Sequence, residues 1–429
     1  MDMVIFPLVA LFVMFALNIP VAFCLMAATL SYFVLCPTGL KAFMVVQRMV
    51  ASSESFPMLA IPFFILAGTI MTYSGISTRL MSFAECLTGH MNGGLGQVNI
   101  LLSAMMGGVS GSSNADAAME AKMLVPEMVK RGYRTDFSAA VTAASACITP
   151  IIPPGITLIL FAFMAEVSVN KMFIAGYVPG ILITIALMIV VTIISRRDGY
   201  KPTREKRATI KEICHEFKDA IWALFMPLGL IMGLRFGMFT PSEAGAVSVV
   251  YTLFVGFCVY KELKINMLGK VLKESIEGTC TVMLIIVSAA AFSYYMSWER
   301  IPQAVTAGLT DLTQSPVMLL IILNIFLLIL GMFLEGTASL IIITPLILPV
   351  AVALGIDPVH LGIVMVVNIT IGGLTPPFGT LIFIVCSTLQ LEITKFVKAS
   401  LPFIVALLAV LAIITFIPDI VLFLPNLIG

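Results

Sequence analysis

Residues 107–120 read GGVSGSSNADAAME, a run of glycines, serines, an Asn and an Asp inside a chain that is otherwise oily. Of the 429 residues 60% are hydrophobic and 11% charged, and the mean hydropathy is +1.10. No soluble core hides that much apolar surface, so the chain is an integral membrane protein. In hydrocarbon every backbone polar group needs a partner, and non-helical peptide survives at membrane depth only when buried in protein or lining a cavity. The stretch therefore marks a functional break rather than a span.

The net charge of +1 gives no bulk attraction to nucleic acid or another acidic polymer. Eight cysteines (Cys24, Cys36, Cys86, Cys147, Cys214, Cys258, Cys280 and Cys386) are scattered without CxxC spacing and read as small buried hydrophobes. His90, His215 and His360 lie far apart, HExxH is absent, and there is no Walker A loop or GxGxxG after a strand-like run, which argues against ATP hydrolysis by this chain. The N-terminal MDMVIF lacks a basic n-region and a small-residue cleavage site, so the first apolar run reads as a retained span. The 27 methionines read as gap-fillers between helices.

Apolar runs bounded by Pro, Gly and charge predict an all-α protein with about ten transmembrane helices. They fall at 3–17, 20–36, 56–73, 136–165 and 172–194, then at 222–238, 241–260, 280–297, 358–389 and 396–424; the first two are short enough to form one kinked helix. Between the third and fourth span of each set lies an apolar pair with a polar middle, 97–130 and 317–353, each predicting a re-entrant hairpin. LVPEM at 124–128 matches ILPVA at 347–351, and PPGITLIL from Pro153 matches PPFGTLIF from Pro376, both at an offset of 223. In that register Phe173 meets Phe396 and Pro179 meets Pro402, while Gly111 meets Gly336 at an offset of 225. The reading is a duplication, with lipid-driven composition as the competing explanation: a first repeat at 1–195, a basic linker at 196–218 and a second repeat at 219–429.

Five crossings per repeat is odd, so the second copy enters from the opposite side and the repeats are inverted. The linker carries eight basic residues and is expected in the cytoplasm, which puts both termini in the periplasm. Cytoplasmic loops then hold 18 of the 24 Lys and Arg, among them Arg79, Lys130, Arg131, Arg134, Lys261, Lys264, Lys270, Lys273, Lys395 and Lys398. Outside loops keep Lys41, Arg48, Lys171 and Arg300, and Lys122 and Arg235 fall in hydrophobic elements.

Four stretches break the helices: GGVSGSSNAD at 107–116, TPIIPPG at 149–155, LEGTAS at 334–339 and NITIGGLTPPFGT at 368–380. Two are hairpin middles and two interrupt the spans that follow. A discontinuous helix exposes N–H groups that suit anions and C=O groups that suit cations, and inverted-repeat transporters use such breaks as substrate and ion sites. Candidate substrate and cation residues are Gly108, Ser110, Gly111, Ser112, Ser113, Asn114 and Asp116 with Thr149, Pro150, Pro153, Pro154 and Gly155. The second repeat offers Glu335, Gly336, Thr337 and Ser339 with Asn368, Gly372, Gly373, Thr375, Pro376, Pro377 and Thr380. The hard oxygen donors that Na⁺ prefers are Ser110, Ser112, Asn114, Thr149, Gly336, Thr337, Asn368, Gly373 and Thr375. The Pro pairs remove N–H donors and hold the breaks open. Asp116 reads either as a cavity-facing acid or as the N-cap of its hairpin's second arm, and Glu335 as a cap or a substrate contact.

GGVSGSSNADAAM, TPIIPPG, LEGTASLIIITPLILP and NITIGGLTPPFGT together resemble the large membrane subunit of tripartite ATP-independent periplasmic (TRAP) transporters, the DctM-like family, and the likeness runs from the first span to PNLIG. The resemblance implies an elevator-type, Na⁺-driven importer of organic acids, sialic acid or C4-dicarboxylates for example, in a bacterial inner membrane. It implies a scaffold and a mobile transport domain, the latter formed by the hairpins 97–130 and 317–353 with spans 136–165 and 358–389. It also implies two partners, a small four-helix membrane subunit, expected as a separate chain, and a periplasmic substrate-binding protein. Na⁺ is the expected coupling ion, without an organic cofactor. Its sites are implied at Ser110 to Asp116 with Thr149 to Gly155, and at Glu335 to Ser339 with Asn368 to Thr380. The amphipathic segment 40–55 is expected along the interface beside the small subunit.

Two other classes compete. GVSG at 108–111 fits the nucleophile loop of an intramembrane serine protease, but no histidine is expected beside Ser110. A channel, or a proton-pumping subunit of a larger complex, needs several intramembrane ionisable residues, and few are present.

Overall fold

The computed structural model describes residues 6–17, 19–35, 43–54 and 56–428, and every regular element among them is helical. The first half holds α1 (Phe6–Ala16), α2 (Val21–Leu35), α3 (Phe43–Ser53), α4 (Ala60–Tyr73), α5 (Ile76–Thr88), α6 (Gly94–Ser110), α7 (Ser113–Lys130), α8 (Thr135–Ser145), α9 (Ile156–Met164) and α10 (Val169–Asp198). The second holds α11 (Ile210–Arg235), α12 (Pro241–Phe254), α13 (Leu268–Trp298), α14 (Ile301–Leu312), α15 (Pro316–Phe333), α16 (Gly336–Ala353), α17 (Pro358–Leu374), α18 (Thr380–Leu389), α19 (Ile393–Phe416) and α20 (Pro418–Ile428). The basic segment 196–218 is thus helical at both ends.

Among the described residues seven helices are long and apolar enough to cross a membrane, or eight if the pair α4 and α5, bent by 69°, forms one span. Several boundaries differ from expectation. α1 and α2 pack against each other as two helices rather than forming one kinked helix. Two amphipathic helices, α5 and α14, occupy segments where hydropathy marks no span. Spans 136–165 and 358–389 are each two half-helices, α8 with α9 and α17 with α18. The last expected span, 396–424, ends at Phe416, and α20 begins beyond Ile417, whose backbone leaves the helical region at φ −123°, ψ 79°. Residues 40–42 and 55 of the expected interfacial arm lie outside the described residues; α3 covers 43–53.

The duplication has a register in the helix ends. α7 and α16 are each 18 residues long and start 223 positions apart. α6 and α15 end 223 apart, at Ser110 and Phe333. The hairpin breaks therefore align Gly111 with Leu334 and Ser112 with Glu335, correcting the 225 offset for Gly111 and Gly336. The two units interlock: α9 packs on α16, and its counterpart α18 on α7. Where they meet, the Cys147 thiol donates to the carbonyl of Thr370, its own counterpart, at 3.7 Å. Thr192 and Thr415, again 223 apart, each accept an amide hydrogen bond from the first hairpin arm of their unit, from Gln97 at 2.9 Å and Asn324 at 3.0 Å.

α2, α3 and α4 pack on α13, and α12 packs on α4. α10 and α19 lie against α6, α8 and α17 and against each other. Glycine explains the close seat of α10: a Cβ at Gly176 would collide with the Ile151 carbonyl oxygen, and one at Gly180 with the Ile152 side chain. The break after α8 is thus pressed into α10. The loops rich in Lys and Arg gather on one face. Arg79 pairs with Glu262 at 2.6 Å, Arg131 with Glu85 at 3.9 Å, and the N–H groups of Thr203 and Arg204 donate to Gly89 at 2.8 and 3.0 Å.

Candidate cation and substrate site

The first hairpin turns at Gly111, where φ is +59°, a conformation that favours glycine. A Cβ there would also lie 2.8 Å from the Pro154 carbonyl oxygen, so the tip rests directly on the α8–α9 break. Ser112 follows in extended conformation as the N-cap of α7, its hydroxyl accepting from Ala115 N–H at 3.5 Å. In the second hairpin Glu335 caps α16, its carboxylate accepting from the N–H groups of Thr337 and Ala338 at 3.1 and 3.3 Å and from the Thr337 hydroxyl. Glu335 is therefore a cap. Asp116 is not: it sits a turn inside α7.

Between the tips lies a cavity of about 140 Å³ to which both repeats contribute. The first residues of four helices line it: Ser113 and Asn114 of α7, Ile156 and Thr157 of α9, Gly336 and Thr337 of α16, Thr380 and Leu381 of α18. A helix start carries N–H groups without intrahelical partners and about half a positive charge; at α16 the Glu335 carboxylate takes two of them, so the starts of α7, α9 and α18 are the ones that favour an anion. Pro150 and Gly373, equivalent at offset 223, stand at the interrupted ends of α8 and α17 and also line the wall. The chain folds back on them, since a Cβ at Gly155 would run into the Pro150 carbonyl oxygen and one at Gly379 into that of Gly373. Thr281, Val282 and Ile285 of α13 close the cavity from the other side. The buried Oδ1 of Asn114 has no partner among the described residues.

Ten of the candidates thus line one cavity: Gly111, Ser112, Ser113, Asn114, Pro150, Glu335, Gly336, Thr337, Gly373 and Thr380. Others lie behind it. Thr149 donates to Asp116 Oδ2 at 2.6 Å, and Asp116, 1% exposed, borders an adjoining cavity instead. The Ser339 hydroxyl is buried without a partner among the described residues. Asn368 turns away, donating to the backbone oxygen and Oδ1 of Asn324 at 3.0 and 2.7 Å. Thr375 is bonded to the Ile371 carbonyl at 2.8 Å. Gly372 faces Gly331 of α15, where a Cβ would come within 2.8 Å of Cα. Pro153, Pro154, Pro376, Pro377 and Gly155 shape the breaks, and both Pro–Pro bonds are cis. The surroundings of Gly108 and the side chain of Ser110 lie outside the described residues.

Sequence reasoning missed Thr157, Thr281 and Thr370 on the wall. It also missed Glu120, fully buried, which accepts from the Ser103 hydroxyl at 2.9 and 3.0 Å and from Ser145 at 3.4 Å. Ser145 also donates to Asn99 at 2.7 Å and Asn99 to Thr142 at 2.7 Å, tying α6, α7 and α8 together.

Residues 8–420 match the family described as tripartite ATP-independent periplasmic transporter, DctM component. The chain belongs to this family. It is 38% identical to the C4-dicarboxylate TRAP transporter large permease protein DctM of Pseudomonas aeruginosa, over 89% of each chain. It is 36% identical to the sialic acid TRAP transporter large permease protein SiaM of Vibrio cholerae, over 96% of this chain and 95% of that one. Among solved structures the YdaH transporter of Alcanivorax borkumensis, described as having an unusual topology, shares the fold with a TM-score of 0.57 at 13% identity, over 95% of this chain and 97% of that one. As a TRAP large permease the chain is a multi-pass membrane transport protein and no enzyme, so GVSG is a hairpin tip and not a nucleophile loop. Two of the three histidines are placed elsewhere: His360 Nε2 is engaged by the Ile414 carbonyl at 2.8 Å, and His215 stands 3.8 Å from Asp219 on the surface.

Proposed function

We propose that this TRAP permease imports an organic carboxylate across a bacterial inner membrane, driven by Na⁺. The observation that carries the reading is the convergence of four helix starts and two interrupted-helix ends on one cavity. The helix starts suit the carboxylate; the carbonyls of Pro150 and Gly373, Asn114 Oδ1 and the Thr337 hydroxyl form an all-oxygen donor set suited to Na⁺. Bound Na⁺ supplies positive charge beside the carboxylate, and the chain's own groups fix the two tips around it. The relatives named for C4-dicarboxylates and sialic acid support a carboxylate as cargo.

The hairpins, the two broken spans and the helices packed on them, α10 and α19, move together against a scaffold of α1–α4 and α11–α13. The gathering of basic loops on one face supports a cytoplasmic position for that face, with both termini periplasmic. A small four-helix membrane subunit and a periplasmic binding protein complete the carrier.

The test is uptake of labelled organic acids into proteoliposomes holding this chain, the small subunit and the binding protein, with and without an inward Na⁺ gradient. Uptake that needs both the gradient and the binding protein is expected. Uptake indifferent to Na⁺ would overturn the coupling.

A further inference from the structure

At the far end of α13 from the basic loops, a cavity of about 890 Å³ opens between α3, the α9–α10 junction and the last turns of α13. Pockets of this size hold small organic ligands. Two charged side chains line it, Arg48 and Glu166. The Arg48 guanidinium lies 4.7 Å from the centroid of the Tyr294 ring, and among the described residues it makes no ion pair. Stacking uses the face of the guanidinium and leaves its edge N–H groups for a carboxylate. Ser293 and Ser297, one turn apart, line the same wall, and their hydroxyls have no hydrogen-bond partner among the described residues, whereas Ser275 and Ser288 of the same helix bond back to carbonyls at 2.8 and 2.7 Å. Tyr294 and Trp298 add aromatic surface. Along α9 the two cavities are neighbours: Thr157 lines the tip cavity and Ile159 this one.

We propose that this outer cavity is a second organic-acid site, a waiting position for a hydroxylated monocarboxylate before it reaches the hairpin tips. Arg48 holds the carboxylate in a bidentate pair, Ser293 and Ser297 take hydroxyl groups, and Glu166 repels a second carboxylate, so a dicarboxylate is disfavoured. The inference rests on the reading of the chain as an organic-acid carrier.

Trp298 is one of only two tryptophans, so Trp222→Phe leaves it as a sole fluorescent reporter on the cavity wall. Titration of the purified protein in nanodiscs with N-acetylneuraminate, gluconate and succinate is expected to give a saturable change in emission with the first two. Succinate should require at least tenfold higher concentration. Arg48→Gln should abolish the response and Arg48→Lys weaken it, while Asn114→Ala at the tip leaves it unchanged. A response that survives Arg48→Gln, or uptake by the reconstituted carrier with no Trp298 response, overturns the site and leaves the carrier reading intact. A Trp298 response without uptake of any acid upholds the binding cavity but overturns the carrier reading and, with it, the waiting role.

Discussion

Ser112 and Glu335, 223 positions apart, hold the same post: each is the N-cap of the second arm of its hairpin. The matching geometry carries unequal charge. Ser112 offers one neutral oxygen at 3.5 Å; Glu335 offers a carboxylate that accepts from two backbone N–H groups and a hydroxyl. The cavity between them is pseudo-symmetric in backbone and asymmetric in electrostatics, which lets one side favour a cation while the remaining helix starts attract an anion.

Replacing Glu335 separates its two roles. Glu335→Ala removes the cap and should lower stability by about 1 kcal/mol, seen as a reduced melting temperature in detergent. Glu335→Gln keeps an acceptor and should melt near the wild type, yet need more Na⁺ for half-maximal uptake. An unchanged Na⁺ requirement in Glu335→Gln would remove the charge from the site.

Asn114 and Thr375 make a matched pair of substitutions. Asn114 presents an unpartnered oxygen in the cavity wall, so Asn114→Ala should raise the Na⁺ concentration for half-maximal uptake about tenfold, equivalent to about 1.4 kcal/mol. The Thr375 hydroxyl is bonded to its own helix, so Thr375→Ala should leave Na⁺ activation near wild type. Equal effects in the two variants would mean that the tip cavity is not the ion site.

Gly372 and Gly331 bring α17 and α15 together backbone to backbone. Gly372→Val has nowhere to put its side chain and should destabilise by about 1–3 kcal/mol, measured as thermal unfolding of the purified protein. A melting temperature within a degree of wild type would show that the two helices separate freely.

The Glu120 network should be unforgiving. Glu120→Ala strands the hydroxyl of Ser103 in a buried site, while Ser145 keeps Asn99; the unsatisfied group costs about 1–3 kcal/mol, and the variant should give a lower yield of monodisperse protein. Glu120→Gln keeps the acceptor and should recover much of it. If the alanine variant purified and melted like wild type, the network would not hold the hairpin to α8.

The hairpins were legible because lipid penalises what they contain: glycines, hydroxyls and acids at 107–116 and 334–339 have no other reason to lie inside apolar sequence. The register was legible through Pro153 and Pro376. α5 and α14 escaped because hydropathy finds apolar runs, and ISTRLMSFAECLT intersperses polar and apolar residues in sequence so that they fall on opposite faces of the helix. Asn368 has the chemistry of an ion ligand, but Asn324, 44 residues away, decides where it points. Glu120 had only its charge to announce it, in an arm that already carries Lys122 and Glu127.

Flux coupling tests the tip cavity most directly. Proteoliposomes holding the complete carrier would be supplied with ²²Na⁺ and a labelled organic acid, and both fluxes measured for wild type and Asn114→Ala. The expected result is that wild type moves both together in a fixed ratio and that the variant loses both in parallel at low Na⁺. Acid uptake at the wild-type rate without ²²Na⁺ entry would contradict Na⁺-coupled transport through this cavity.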